Sequence, residues 1–272
     1  MDKFIDVKKI IETKNKKISK FIPRFLVKYL ENIIHQNEIN QFLQENKTLK
    51  NQDFCQKAIE YLNIKINVNG LEKIPKSGAC CIAMNHPLGG VDGISFLAAL
   101  KDYRSDIVFI ANDLLLQIKP LNDIFFGVNK HGRNPKEMYS NLDALFQSDK
   151  LICFFPAGLV SRRQKGEVKD LKWKKTFISY SVKHNVPVLP IFIGGKMSNF
   201  FYRLANLRKF LRIKTNFEML YLSNEMFKQK NSTITFTVGD LILPEQFSEN
   251  NYSHQKWAEI VMQKVYNLAK SS

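Results

Sequence analysis

Short apolar runs recur along the chain from residue 64 onward, and they predict a series of β-strands. The predicted strands cover residues 64–68, 79–84, 107–111, 151–155, 186–193 and 234–238. Between several of these runs, apolar residues recur every three to four positions, which predicts helices over residues 92–100, 135–146 and 173–183. Strands that alternate with helices favour an α/β fold, with a mixed sheet flanked by helices.

The first 63 residues have a different pattern, which is mostly helical and ends in a predicted helix over residues 53–62. No internal repeat, low-complexity tract or linker rich in Gly, Pro or Ser interrupts the chain. A chain of 272 residues is long enough for one large domain or two small ones, and we favour one large domain. We therefore divide the chain into a helical N-terminal region, residues 1–63, and an α/β domain, residues 64–272.

The N-terminal region contains a basic amphipathic segment. Apolar residues recur there at helical spacing, at Ile18, Phe21, Ile22, Phe25, Leu26, Tyr29, Leu30, Ile33 and Ile34. Basic residues surround them, at Lys14, Lys16, Lys17, Lys20, Arg24 and Lys28. Such a helix can lie in the headgroup layer of an anionic bilayer, although an apolar stripe more commonly packs on its own domain. We favour membrane docking because of the flanking charge, and Pro23 predicts a kink or a break between two shorter helices.

Composition limits the classes of partner and compartment. The chain has 41 Lys and Arg against 25 Asp and Glu, a formal charge of +16, which points to a polyanion: an anionic membrane surface, nucleic acid or an acidic protein. Its four cysteines form no CxxC pair, which is typical of reduced core residues in a cytoplasmic protein. No apolar stretch reaches the ~20 residues of a spanning helix, so we expect a peripheral protein on the cytoplasmic face of the membrane.

The most informative motif is Asn-His-Pro-Leu-Gly-Gly-Val-Asp-Gly, which begins at residue 85 and follows a predicted strand. A histidine exchanges a proton near neutral pH, and a carboxylate on its second ring nitrogen orients the ring and stabilises the imidazolium. Positive-φ conformations at Gly89 and Gly90 would bring Asp92 to the ring of His86. The pair is therefore a candidate general base. The alternative is a structural histidine beside a carboxylate that caps a helix.

Other loops at strand ends carry arginines. Residues 156–163 follow a predicted strand and contain Arg162, and an earlier loop ends in Arg133. A proline-bracketed run at residues 186–190 comes later in the chain. Arginine forks bind carboxylate or phosphate oxygens through two hydrogen bonds, whereas surface arginines are usually solvated. The ordered set of motifs is much less expected by chance than any one of them.

In this order the motifs resemble the four blocks of the glycerolipid acyltransferases, the family typified by lysophosphatidate acyltransferase. The matching positions are Asn85 and His86 with Asp92, Gly127 with Arg133, Phe155 to Gly158 with Arg162, and Val186 to Pro190. The resemblance implies an O-acyltransferase with an α/β core and a helical N-terminal region that docks on the membrane. The alternation of strands and helices predicts the fold independently, whereas the reaction is implied by the resemblance.

Two departures from the family pattern bear on the acceptor. Five residues separate His86 from Asp92 where the family has four, and Ala157 replaces the glutamate of the third block. These features look more like the subgroup once labelled putative haemolysins, some members of which acylate the 3-hydroxyl of an N-(3-hydroxyacyl) amino acid to give glycine or ornithine lipids. The resemblance therefore implies an amino-acid-lipid O-acyltransferase, with 1-acylglycerol-3-phosphate acyltransferase of phospholipid synthesis as the alternative.

The resemblance also implies roles for individual residues. His86 would take the proton from the acceptor hydroxyl as it attacks the thioester, and Asp92 would orient His86. Arg133 and Arg162 would bind the anionic head of the lyso-lipid acceptor. The remaining candidates for substrate binding are Asn85, Gly89, Gly90 and Gly158. We expect an acyl-carrier protein, or coenzyme A, to bring the acyl thioester as co-substrate, and we expect no cofactor and no metal.

A non-enzymatic binding protein for RNA or an anionic membrane is the competing hypothesis. Its evidence is the basic run at residues 162–175 and the aromatic and basic segment at residues 200–212. Base stacking needs exposed aromatic side chains. The apolar residues of the second segment instead fall on one helical stripe, at Phe200, Phe201, Leu204, Leu207 and Leu211. Such a stripe is simpler to interpret as core or lipid-facing, and we expect no nucleic-acid partner.

Overall fold

The computed structural model describes residues 4–14, 21–111, 118–127 and 135–270. The chain divides into two compact units, Met1–Leu49 with Met197–Lys230 and Lys50–Lys196 with Asn231–Ser272. We call the first the helical unit and the second the sheet unit. The predicted division at residue 63 differs from the boundaries of these two units, and it stays a prediction about domains.

Strands and helices alternate along most of the chain, as the hydrophobic pattern predicts. In the described residues the strands are β1 (Lys65–Asn69), β2 (Cys80–Met84), β3 (Ile107–Ala111), β4 (Phe125–Gly127), β5 (Leu151–Phe154), β6 (Arg162–Gln164), β7 (Glu167–Lys169), β8 (Val188–Ile193) and β9 (Thr233–Val238). The α-helices are α1 (Val7–Lys14), α2 (Arg24–Ile34), α3 (Gln36–Glu45), α4 (Asn51–Tyr61), α5 (Gly90–Ala99), α6 (Pro135–Phe146), α7 (Thr176–His184), α8 (Asn199–Phe210), α9 (Leu222–Phe227) and α10 (His254–Leu268). Short 3₁₀ helices cover Leu71–Lys73, Lys119–Leu121, Phe217–Tyr221 and Pro244–Asn251.

The sheet unit contains a seven-stranded mixed sheet in the order β1-β9-β8-β2-β5-β3-β4. Neighbouring strands are parallel except β8 and β9, which are antiparallel. The carboxyl ends of β8, β2 and β5 therefore meet at one edge in the middle of the sheet. Strands β6 and β7 form a separate antiparallel hairpin. The predicted α/β class with a mixed sheet is confirmed.

All six predicted strands are present, with ends shifted by at most two residues. They were predictable because strands buried on both faces consist of nearly continuous apolar runs. The helix predicted from residue 173 begins instead at Thr176, so its predicted start is wrong. Trp173 and Lys174 lie before the helix, where the amide of Lys174 donates a hydrogen bond to the carbonyl of Pro156 at 3.0 Å.

Helices cover both faces of the sheet. On one face, α4 packs against α5, and Phe96 of α5 contacts Phe109 and Phe236 from two strands. On the other face, side chains from α6, α7 and α10 form one core cluster with alternate residues of β2, β5 and β8. The four cysteines are free and buried. Burial raises the pKa of the Cys80 thiol to about 12 and that of Cys153 well above its usual range, so neither sulfur is a ready nucleophile.

The helical unit joins the N-terminal helices to residues 197–230. The His35 ring, in the turn between α2 and α3, stacks on Phe227 at 4.0 Å. His35 Nε2 also lies 3.1 Å from the side-chain oxygen of Asn224. The buried Gln36 side chain accepts a hydrogen bond from the amide of Val7, which ties α3 to the start of α1.

Pro23 separates α2 from the chain before it, so the predicted break is confirmed. Its backbone is extended, with φ −61° and ψ 143°, and α2 begins at the next residue. Ile18 and the lysines at positions 16, 17 and 20 lie outside the described residues. In the part of the chain that the structure describes, no helix is long and apolar enough to cross a membrane.

Candidate active site

The candidate site begins where β2 ends, at Asn85. This side chain is buried between the carboxyl ends of β2 and β8. Its amide nitrogen donates to the carbonyl of Ile193 at 2.9 Å, and its oxygen accepts from the amide of the same residue at 2.7 Å. The Asn85 side chain therefore satisfies both backbone polar groups of the last residue of β8, and these bonds fix the first residue of the loop. Its predicted contact with substrate stays a prediction.

The loop brings His86 and Asp92 together, with 2.9 Å between His86 Nδ1 and Asp92 Oδ2. The same carboxylate oxygen accepts a hydrogen bond from the amide of Leu88, also at 2.9 Å. Gly89 precedes α5 with φ +74°, a conformation that side-chain-bearing residues rarely adopt, so its predicted role in the turn is confirmed. The positive φ predicted for Gly90 is wrong, because this residue is already the first of α5.

The ring of His86 is held on two sides. Asp92 bonds to Nδ1, and the ring of Phe155 stacks on one face with centroids 4.0 Å apart. No residue among those described forms a hydrogen bond with Nε2, and the His86 side chain is 17% exposed. This geometry leaves Nε2 as the nitrogen that can meet an incoming hydroxyl. Asp92 fixes the tautomer in which Nδ1 carries the proton and Nε2 is the free base.

Asp92 is fully buried, and burial raises the pKa of its carboxyl, an effect that the contact with His86 opposes. Its second oxygen, Oδ1, is buried and has no hydrogen-bond partner among the described residues. The charged carboxylate is therefore costly to hold at this position. The contacts of Oδ2 with His86 Nδ1 and with the amide of Leu88 offset part of this cost.

The raised pKa predicts how stability at this position depends on pH. A carboxyl with a raised pKa binds its proton more tightly in the folded state than in the unfolded chain. Its stabilising contribution is therefore complete below about pH 4 and is lost as the pH rises through the raised pKa. Asparagine does not titrate, so Asp92→Asn lacks this pH-dependent loss of stability. The unfolding free energy of the variant, relative to that of the wild type, should therefore increase between pH 4 and pH 7. Urea unfolding at each pH measures this difference, and a constant difference would contradict the prediction.

A second buried carboxylate, Asp170, anchors the main chain of the loop. The amide of His86 donates to Asp170 Oδ1 at 3.2 Å, and the hydroxyl of Ser161 donates to the same oxygen at 2.5 Å. Trp173 Nε1 donates to Oδ2 at 2.8 Å, and the amide of Asp170 donates to the hydroxyl of Tyr266 at 2.7 Å. Burial raises the pKa of Asp170, and these hydrogen bonds to its carboxylate oppose that rise. Asp170 thus joins the loop after β2 to the loop after β5.

The loop after β5 also contacts His86 directly, since the amide of Ser161 donates to the His86 carbonyl at 2.8 Å. Gly158 turns this loop with φ +68°, and a Cβ atom there would lie 3.1 Å from Lys174 Nζ. Arg162 is buried at the start of β6, where Nη1 donates to the carbonyl of Val160 at 2.8 Å. Its predicted contact with an anionic head stays a prediction. Arg133 lies outside the described residues.

Sequence reasoning missed Asp170 and Gly195. A Cβ atom on Gly195, which has φ +114°, would lie 3.1 Å from Leu88 Cδ1, so this glycine permits the loop after β8 to approach the loop after β2. The pair Gly194-Gly195 directly after a strand was a detectable signal. Asp170 carried no such signal, because two of the residues that it contacts, His86 and Tyr266, are 84 and 96 residues away in sequence. Among the described residues, no cluster of His, Cys, Asp or Glu is arranged to hold a metal.

Comparison with known proteins decides the family. The family model described as acyltransferase matches residues 9–272. The chain belongs to the acyltransferase family. This acyltransferase is therefore an enzyme, and the competing hypothesis of a non-enzymatic binding protein is set aside. The blocks that carried the resemblance include the loops after β2 and β5, where His86 and Ser161 meet.

Two curated relatives resemble this acyltransferase over nearly its whole length. A protein of Phocaeicola vulgatus named lyso-glycine lipid O-acyltransferase is 43% identical over 265 residues, which cover 97% of this chain and 95% of the relative. A protein of the same name from Bacteroides thetaiotaomicron is 44% identical over 265 residues, which cover 97% of each chain. The crystal structure of the 1-acyl-sn-glycerophosphate (LPA) acyltransferase PlsC from Thermotoga maritima has a TM-score of 0.50 and 22% identity. It covers 80% of this chain and 78% of that chain, and it shows the likeness of the fold alone.

Proposed function

We propose that this acyltransferase moves a fatty acyl group from an acyl thioester to the hydroxyl of a lyso-glycine lipid. The observation that carries this proposal is the identity of 43% and 44%, over almost the full chain, to two relatives with that activity in their names. The acceptor is then an N-(3-hydroxyacyl) amino acid that exposes a carboxylate. The substitution of Ala157 for the family glutamate supports this acceptor over a glycerol phosphate. Ala157 is buried and brings no carboxylate to the loop that leads to Arg162, so this loop adds no negative charge that would repel an acceptor carboxylate.

The proposed mechanism uses His86 as general base. Nε2 takes the proton of the acceptor hydroxyl as its oxygen attacks the carbonyl carbon of the thioester. The tetrahedral intermediate then collapses, which completes the ester bond and breaks the carbon–sulfur bond. The departing thiolate recovers the proton from His86. Asp92 orients the ring and stabilises the imidazolium that exists between the two proton transfers.

The donor and the location of the reaction are part of the proposal. The acyl thioester is carried by an acyl-carrier protein, with coenzyme A as the alternative, and the enzyme works as a peripheral protein on the cytoplasmic face. A groove of about 540 Å³ in the helical unit supports contact with anionic lipid, because basic and apolar side chains line it together. They are Lys8, Ile11, Ile22, Arg24, Val27, Lys28 and one acidic residue, Glu31. Phe25, which follows Arg24 in the first turn of α2, is 75% exposed.

Arg162 provides a test of the anionic head of the acceptor. Lysine at this position keeps the charge but loses the planar fork that binds a carboxylate through two hydrogen bonds. We expect Arg162→Lys to raise the KM for lyso-glycine lipid by about 10-fold, with the KM for the acyl donor unchanged. The matched control is Arg163→Lys, at the neighbouring position of β6, which should leave both values near those of the wild type. Equal acceptor KM values for the two variants would remove Arg162 from the acceptor site.

The cellular test uses a host that makes lyso-glycine lipid but does not acylate it. Expression of this chain should convert the lyso-lipid into the diacylated glycine lipid, which mass spectrometry resolves by the added acyl mass. Expression of the His86→Ala variant at the same level is the control. The proposed function would be contradicted if the wild-type chain left the lyso-glycine lipid pool unchanged while phosphatidate rose and lysophosphatidate fell. That result would instead assign the protein to phospholipid synthesis.

A further inference from the structure

A second exposed apolar surface lies in the helical unit, at the end of α8. Its residues are Leu207, Phe210, Leu211 and Ile213, which we call the α8 patch. Phe210 is 83% exposed, which is unusual for a phenylalanine on a structured helix. From the α8 patch we infer that residues 199–214 are a second membrane-binding element, whose partner is the surface of an anionic lipid bilayer. The inference deepens the proposed function, because an enzyme with a lipid acceptor has to reach that surface.

The α8 patch is held by an ordered helix end. Phe201, Tyr202 and Ala205 bury one side of α8, which leaves the opposite side exposed. After the helix, Arg212 turns the chain with φ +54°, and the amide of Ile213 donates to the carbonyl of Arg208 at 3.1 Å. The predicted apolar stripe over residues 200–211 is therefore divided between the core and the exposed surface.

The charges around the α8 patch fit an anionic surface. Residues 197–230 contain seven basic and two acidic residues. Both acidic residues are buried and paired, Glu218 with Arg208 at 2.9 Å and Glu225 with Lys228 at 2.7 Å. The exposed charges of α8 and its turn are positive, at Arg203, Lys209, Arg212 and Lys214. Apolar side chains surrounded by cations match the lipid headgroup layer, where acyl chains lie beneath anionic groups.

Tyr221 connects α2 to the first turn of α8 within the helical unit. The hydroxyls of Tyr29, on α2, and Tyr221 lie 2.5 Å apart. The Tyr221 ring contacts Phe200, in the first turn of α8, with centroids 5.0 Å apart. Two basic elements with exposed aromatic side chains are thus joined by direct contacts within the helical unit. A bilayer that contacts both elements binds more tightly than it would through either element alone.

The test is co-sedimentation of the full-length protein with lipid vesicles, in the absence of acyl donor and acceptor. One set of vesicles contains phosphatidylglycerol and phosphatidylethanolamine, and the other contains phosphatidylcholine only. The double variant Phe210→Ser with Leu211→Ser should bind the anionic vesicles about 10-fold or more weakly than the wild type. The matched control is Leu241→Ser with Leu243→Ser, two exposed leucines of the sheet unit, which should bind like the wild type. Far-UV circular dichroism checks that both variants are folded.

Three results would overturn the inference. The first is binding of the α8 variant within twofold of the wild type. The second is unchanged vesicle binding with loss of affinity for an acyl-carrier protein, which would assign the α8 patch to an acidic protein partner. The third is unchanged vesicle binding with a change from dimer to monomer by size-exclusion chromatography, which would make the patch an interface between copies. The vesicle assay contains no substrate, so its result does not depend on the acceptor. If the wild-type protein failed to acylate lyso-glycine lipid in a separate assay, the proposed function would be refuted but the vesicle-binding result would still hold.

Discussion

Replacement of His86 by alanine should lower kcat by about 10²- to 10⁴-fold, the usual contribution of a positioned general base, and leave the fold intact. The loss is expected because Nε2 is the basic nitrogen that the loop leaves open, while Nδ1 is bonded to Asp92 at 2.9 Å. Folding should survive because the side chain is partly exposed and its main-chain hydrogen bonds to Asp170 and Ser161 do not require the imidazole. Steady-state kinetics with thermal unfolding measure both parts of the prediction.

The chain offers a matched control in a second histidine–aspartate pair of the sheet unit. His184 Nε2, at the end of α7, lies 2.6 Å from Asp143 Oδ1, and the His184 side chain is 8% exposed. His184→Ala removes a comparable pair from a position that we assign no catalytic role, so its kcat should stay within about twofold of the wild type. Wild-type turnover by His86→Ala, or an equal loss in both variants, would refute the assignment of His86 as base.

The second large effect is expected at Asp170, which acts as a positioning residue for His86. Its two oxygens accept hydrogen bonds from the His86 amide, the Ser161 hydroxyl and the indole of Trp173. In Asp170→Asn the amide nitrogen, itself a donor, must face one of these donors. A buried donor left unsatisfied costs ~1–3 kcal/mol, so the loop that carries His86 should shift to avoid that contact. We expect this displacement of His86 to lower kcat by about 10- to 100-fold.

A purely structural role for Asp170 would give a different result. If Asp170 positions the loop that carries His86, kcat should fall while the KM for lyso-glycine lipid and the fraction of folded protein stay near wild-type values. Asp240→Asn is the control. Asp240 is an exposed carboxylate that forms a surface ion pair with Lys73 at 2.8 Å. A loss of activity that parallels the loss of folded protein would contradict the positioning role.

Local motifs explain why the central part of the site could be predicted from the sequence. His86 and Asp92 lie on one loop, and a turn at Gly89 is enough to bring them together, so no knowledge of the distant chain is needed. The strand that precedes them was equally clear, because β2 is buried along its whole length.

Contacts between distant residues explain what could not be predicted. Asp170 lies 84 residues from His86 and comes after a short hairpin, so only the folded chain shows that the two meet. Arg162 falls in the segment predicted as a loop, residues 156–163, but it is the first residue of β6. Its burial and its hydrogen bond to Val160 depend on the path of the chain before β6. In the same way, the apolar stripe of α8 predicts a buried or lipid-facing side without showing that Phe201 is buried and Phe210 exposed.

The most direct test of the proposed function is an acceptor competition with purified wild-type protein. Lyso-glycine lipid and lysophosphatidate are supplied at equal concentration in the same detergent, with one acyl-carrier-protein thioester as donor, and mass spectrometry follows both products. The proposed function predicts a larger kcat/KM for lyso-glycine lipid and a diacylated glycine lipid as the main product. Equal or faster acylation of lysophosphatidate under these matched conditions would contradict it.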